Sequence, residues 1–238
     1  MKKVTLSTIL GGLLLVQMAG GLFLNFRFLG IFKSDIFTVD MASLTTALGF
    51  ATFMALLLSF INVVVGMIAV KRFQSQQPML SLLVILMASL GLVLTGIEYA
   101  NLANYTAFIS DVQAKGLSEL NESMEFIRRL IVSERNESHY LSLFLSSFSL
   151  LLFYTLLYRA TRMPKLLLAF AITSCALQLI ALSSTFFQGP VIVAIQLPLF
   201  ITQLVMPVYF IVFGFRASTQ PIEGSIKTNS LVDNQEGI

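Results

Sequence analysis

The sequence predicts an all-α polytopic membrane protein, a bundle of six transmembrane helices with an extracytoplasmic amphipathic helix in the third loop. Three observations carry that prediction. Hydrophobic residues make up 56% of the 238 positions and charged residues only 11%, whereas soluble domains hold about a quarter charged residues. The apolar residues fall into six runs, and each reaches or exceeds the roughly 17 to 25 residues that cross the hydrocarbon core of a bilayer. Lys and Arg collect at the ends of these runs, where they orient a chain in the membrane.

The first run, about 5–27, follows Met1-Lys2-Lys3. A basic start before an apolar run also suits a secretory signal, but this run passes signal-peptide length and Gln17-Met18-Ala19 is a poor cleavage site. It reads as an uncleaved span. The second, 42–70, closes on Lys71-Arg72, and the third, 79–102, is preceded by Pro78. The fourth, 141–158, is closed by Arg159, Arg162 and Lys165. Gln188-Gly189-Pro190 turns the fifth, 166–187, into the sixth, 191–215. Between the third and fourth spans, the stretch 104–139 is the only polar segment of any size. Within it Leu117, Leu120, Met124, Ile127 and Ile131 recur at helical spacing with charges opposite. That pattern predicts a helix lying on the membrane surface or capping the bundle. Residues 1–216 thus form the membrane domain, and 217–238, polar and aperiodic, read as a disordered cytoplasmic tail.

Charge sets the orientation. With the N-terminus inside, Lys2, Lys3, Lys71, Arg72, Arg159, Arg162, Lys165, Arg216 and Lys227 are cytoplasmic. Arg27, Lys33, Lys115, Arg128, Arg129 and Arg135 lie opposite, and in the long loop acidic residues outnumber them. Lys and Arg gather on the cytoplasmic face, so both termini are expected there.

Several function classes lose support on composition alone. The net charge of +3 comes from cations at span ends, so nothing favours nucleic acid. The single cysteine, Cys175, sits in an apolar run and allows no intramolecular disulfide and no Cys-based metal cluster. The single histidine, His139, has no partner at ligand spacing, and no phosphate loop, nucleophile elbow or His-Glu-x-x-His motif occurs. No metal, cofactor or enzymatic activity is therefore expected.

The informative stretch is Gly91 to Tyr105. Glu98 is the only acid inside a membrane-length apolar run, and Gly91, Thr95, Asn101 and Tyr105 fall within roughly 60° of it on a helix. A carboxylate in hydrocarbon costs on the order of 3 kcal/mol on insertion scales, so this stripe should face protein or water. On the first helix Gln17, Gly21 and Asn25 share a face, and on the second Thr45, Gly49, Thr52, Ser59 and Gly66 do. Asn62, Gln178, Gln196 and Gln203 are the remaining intramembrane amides of interest. Close helix packing explains small residues, and cross-helix bonds worth about 0.6 to 2 kcal/mol explain the amides. The functional alternative is a cavity opening outward, lined by Glu98, Thr95, Asn101, Gln196 and Arg27. Arg27 and Glu98 lie near the same boundary, which allows an ion pair that would make Glu98 structural.

The segment Arg162-Met163-Pro164-Lys165-Leu166 resembles the entry to the fifth helix in the bacterial membrane proteins grouped as domain of unknown function 4386. Gln203 to Phe215 looks like that family's last helix, and Ile97-Glu98-Tyr99-Ala100 is similar to its Glu-containing third helix. Where the family is expected to carry Glu, Trp and Lys, this chain has Gln203, Tyr209 and Phe213. The resemblance spans Leu6 to about Arg216 and implies a six-helix bacterial inner-membrane protein with no established activity to transfer. Gln203 in place of an acid would leave Glu98 without a second carboxyl, which weakens a proton relay. Two expectations follow: a non-enzymatic protein binding a lipid, a small hydrophobic ligand, a membrane protein partner or a second copy of itself, and a small carrier using Glu98 as its ionisable group. The second is weakened by the lack of an internal repeat between the two halves.

Overall fold

A computed structural model describes residues 5–187 and 189–214. Its six long helices are α1 (Leu6–Arg27), α2 (Met41–Phe73), α3 (Pro78–Ala114), α4 (Glu122–Ala160), α5 (Lys165–Ser183) and α6 (Leu197–Val212). Short 3-10 turns follow α1 at Leu29–Lys33, extend α5 at Ser184–Phe187 and precede α6 at Val193–Gln196. Among the described residues six helical stretches are long and apolar enough to cross a membrane, as the hydropathy runs predict.

Local chemistry marks the helix ends. Asp40 accepts from the Ser43 amide at 2.9 Å to cap α2, and Asn121 accepts from the Met124 amide at 2.9 Å to cap α4. Each satisfies one of the donors left open in a first helical turn. Pro78 opens α3, where its missing N–H costs nothing. Past the end of α3, Gly116 adopts φ +63°, a left-handed conformation suited to glycine. Lys165 Nζ bonds the carbonyls of Tyr158 and Thr161, so it holds the last turn of α4 against the start of α5.

The third and fourth helices outrun their predicted spans. Between Gly96 and Gly116 nothing breaks α3, and Glu122 to Ala160 contains neither Gly nor Pro. Both helices therefore continue past the apolar run, and α4, at 39 residues, is about 58 Å long at 1.5 Å per residue. This corrects the expectation of a separate amphipathic helix over 117–131. Residues 122–131 are the first turns of α4, continuous with the fourth span, while Leu117 and Leu120 lie in the connection before it. The tail 217–238 lies outside the described residues.

Each helix packs on its neighbour in the chain, and α6 returns onto α1, so the six close into a ring. Their outward faces are apolar, with Phe50, Phe53, Phe60, Leu86, Val93 and Ile97 exposed, as lipid contact requires. Close approaches sit where side chains are missing. A Cβ on Gly66 would lie 2.8 Å from Ile85 Cα, and one on Gly11 would lie 2.6 Å from the Pro207 carbonyl oxygen. The larger core fills the end of the ring that holds the start of α1: Leu10, Phe73, Val84, Phe153, Leu157, Leu168, Met206 and Phe210 are all buried there. At the opposite end the apolar clusters are smaller, built around Leu24, Tyr99 and Leu102 and around Leu44, Tyr105 and Ile109. The looser end leaves room for polar chemistry.

Candidate functional site

Glu98 lies on the inward face of α3 and is 4% exposed. Its Oε1 accepts a hydrogen bond from Arg135 Nη2 at 3.1 Å, and His139 Nδ1 stands 2.9 Å from the same oxygen. When the carboxylate is ionised it can only accept, so the His139 ring donates there. Both partners come from α4 and are one helical turn apart, which places them on one face. Arg135 Nη1 donates to Asn136 Oδ1 at 3.2 Å, while Arg135 Nε is buried without a partner.

A hydroxyl ladder continues this seam between α3 and α4. Thr95 Oγ1 lies 2.8 Å from Ser142 Oγ, 3.3 Å from Ser59 Oγ and 2.9 Å from the Gly91 carbonyl. Ser149 donates to the Val84 carbonyl at 2.9 Å. Arg135, His139, Ser142, Ser146 and Ser149 recur along α4 at helical spacing, and they face the Glu98 stripe along its length.

Inside the ring is a cavity of about 360 Å³. All six helices reach it. Gln17 Nε2 donates to Asn62 Oδ1 at 2.8 Å across one wall, tying α1 to α2. Thr95, Glu98 and His139 line the same space, with Tyr154, Gln178 and Gln203 completing its polar wall. The side-chain amides of Gln178 and Gln203 make no hydrogen bond with any described residue. Leu14, Leu58, Leu150 and Leu199 supply apolar surface between them. A second recess of about 470 Å³ adjoins it and shares Asn25, Leu29 and His139 in its walls. Among the described residues no group of three His, Cys, Asp or Glu is placed to hold a metal ion.

The predicted residues divide accordingly. Glu98, Thr95, Gln17, Asn62, Gln178 and Gln203 converge on the cavity. Arg27 does not: it is exposed at the end of α1, and the charge expected of it beside Glu98 comes from Arg135. Asn101 is half-buried outside the cavity wall, 3.4 Å from Ser138 Oγ. Gln196, half-buried in the turn before α6, is also absent from the wall. The α2 stripe is buried only from Ser59 inward, with Thr45 and Gly49 exposed and Thr52 bonded to its own helix at the Leu48 carbonyl. Residue depth can be read from position in a span, but the direction a helix faces depends on its neighbours. Arg135 and His139 fall in the polar stretch outside the hydropathy spans, although their four-residue spacing and the serines that follow are visible in the sequence.

A family model described as domain of unknown function (DUF4386) matches residues 9–214. No curated protein and no solved structure matches the chain.

Proposed function

The chain belongs to the DUF4386 family, whose description assigns no activity, and from the site itself we propose that this membrane protein binds a lipid or another small hydrophobic ligand within its helical ring. The observation that carries the reading is the unmatched amides of Gln178 and Gln203 in the mixed polar and apolar wall of the central cavity. A few convergent polar groups in an otherwise apolar concavity are the usual makeup of a small-molecule site. The role is non-enzymatic. Glu98 is held by Arg135 and His139, which suits a fixed polar anchor better than a general base free to move protons. The orientation that follows from the charges places both termini in the cytoplasm of a bacterium and the Glu98 end of the ring on the far side of the inner membrane.

Native mass spectrometry of the full chain released from mild detergent tests the reading. A discrete bound mass that weakens in Gln178→Leu and Gln203→Leu is the expected result. Bare protein in every sample, equally folded, would count against a ligand and turn the search to a membrane protein partner.

The 2.9 Å approach of His139 to Glu98 within the cavity favours one second reading, an ion-coupled carrier. A buried carboxyl beside an imidazole is an ionisable site to which transport could be coupled. In that case Glu98→Asp keeps coupled uptake in vesicles and Glu98→Gln abolishes it. Equal uptake by both variants and the unaltered protein removes the carrier.

A further inference from the structure

The recess beside the cavity is basic on every side that carries charge. Lys33 reaches it from the turn after α1, and Arg128, Arg135 and His139 reach it from one face of α4. No acidic side chain lines it. The acids nearby neutralise this face only in part. Glu125 grips Arg128 through Nε and Nη2 at 2.9 and 2.7 Å, from outside the recess wall. Glu98 takes Nη2 of Arg135, leaving Nε of that guanidinium buried without a partner. Lys33 forms no ion pair among the described residues. Asn25 and Asn136 add neutral hydrogen-bonding groups. Guanidinium and ammonium donors grouped around a concave space are suited to a phosphate or carboxylate.

The position of the recess decides what kind of anion fits. It lies at the end of the ring where the apolar runs stop, level with the end of α1, and it adjoins the mixed cavity, with which it shares Asn25, Leu29 and His139 in its walls. An anion held there can have a chain running into the ring. We propose that the ligand is an amphiphile with an anionic headgroup, the headgroup seated among Lys33, Arg128, Arg135 and His139 and the apolar chain in the cavity. This rests on the ligand-binding reading above and specifies its chemistry. The headgroup phosphate of an anionic lipid and free phosphate share the chemistry the recess recognises, so the test separates them.

The full chain in neutral mild detergent is mixed with phosphatidylglycerol or with phosphatidylcholine of identical chains, and bound lipid is counted by native mass spectrometry. Inorganic phosphate alone forms a third arm, read by thermal stability. Retention of phosphatidylglycerol is expected to exceed that of phosphatidylcholine by about tenfold, as two or more basic side chains near an anionic headgroup would give. That preference should fall in Lys33→Gln, which breaks no ion pair among the described residues, and further in Lys33→Gln with Arg128→Gln. Equal retention of both lipids overturns the headgroup assignment while leaving the cavity as a ligand site. Stabilisation by inorganic phosphate with no lipid retained overturns the amphiphile and makes the recess a site for a free anion. No retained lipid and no stabilisation overturns the assignment and the ligand-binding reading together.

Discussion

At the residue scale, Glu98 is held in place by two neighbours that differ in kind. Arg135 carries a permanent charge, whereas His139 offers a ring N–H whose place on Nδ1 is set by the tautomer. Glu98→Gln keeps the shape of the side chain and removes the charge that Arg135 answers. The variant should lose about 2 to 3 kcal/mol, below the figure for fully buried pairs because the Arg135 side chain is 23% exposed. Arg135→Gln should fall by a similar amount and Arg27→Gln should not change, with thermal unfolding in detergent followed by helical circular dichroism as the check. A loss in Arg27→Gln equal to that in Arg135→Gln would restore the pairing expected from depth alone. Glu98 itself was legible because an acid in an apolar run must be compensated. Its partners were not, because Arg135 and His139 are about forty positions away, and only the unbroken course of α4 brings them beside α3.

At the scale of the element, two helices were longer than hydropathy suggested, and the reason is local. Hydropathy locates the part of a helix that lies in hydrocarbon, while the end of a helix is set by breakers and caps. Glycine contacts give the clearest element-scale prediction. Gly66→Leu would drive a side chain against the backbone of α3 at Ile85, so it should destabilise by about 1 to 3 kcal/mol. Gly12→Ala, with open space around it, should stay within about 0.5 kcal/mol of the unaltered protein. The start of α2 should respond to acid. The Asp40 carboxyl is held below its ordinary value of 3.8 by its hydrogen bonds with Ser43. A depressed folded-state value means the cap is fully formed above pH 3.8 and is lost as pH falls through the lowered value. Protection of the Ser43 amide, corrected for its intrinsic exchange rate, should therefore fall only as the pH drops through that lowered value, and Asp40→Ala should lack that protection at every pH above it.

For the whole molecule, the six spans and the all-helical class were readable from composition and run length, because a bilayer imposes its thickness on any chain that crosses it. The ring and its cavity were not readable, since polar positions on six helices specify a shared centre only once each helix is turned toward its neighbours. The charge distribution still makes a prediction at this scale. A reporter placed at Gly116, between α3 and α4, should be active only outside the cytoplasm, and one fused after Ile238 only inside it. The opposite pattern would invert the molecule and put the basic recess on the cytoplasmic face.

The closure of α6 onto α1 also bears on how the protein is made. Because α6 alone joins α5 back to α1, the first five helices without it would form an open crescent with its polar lining uncovered on one side. Gly11, waiting near the beginning of the chain for Pro207 near its end, works as the clasp of that ring. A nascent chain stalled before α6 would display Glu98, Gln17 and Asn62 to the bilayer, the kind of exposed polarity that membrane proteases act on. A bulky residue at Gly11 should accordingly shorten the lifetime of the protein in the cell even when all six helices are inserted, because the crescent could not shut.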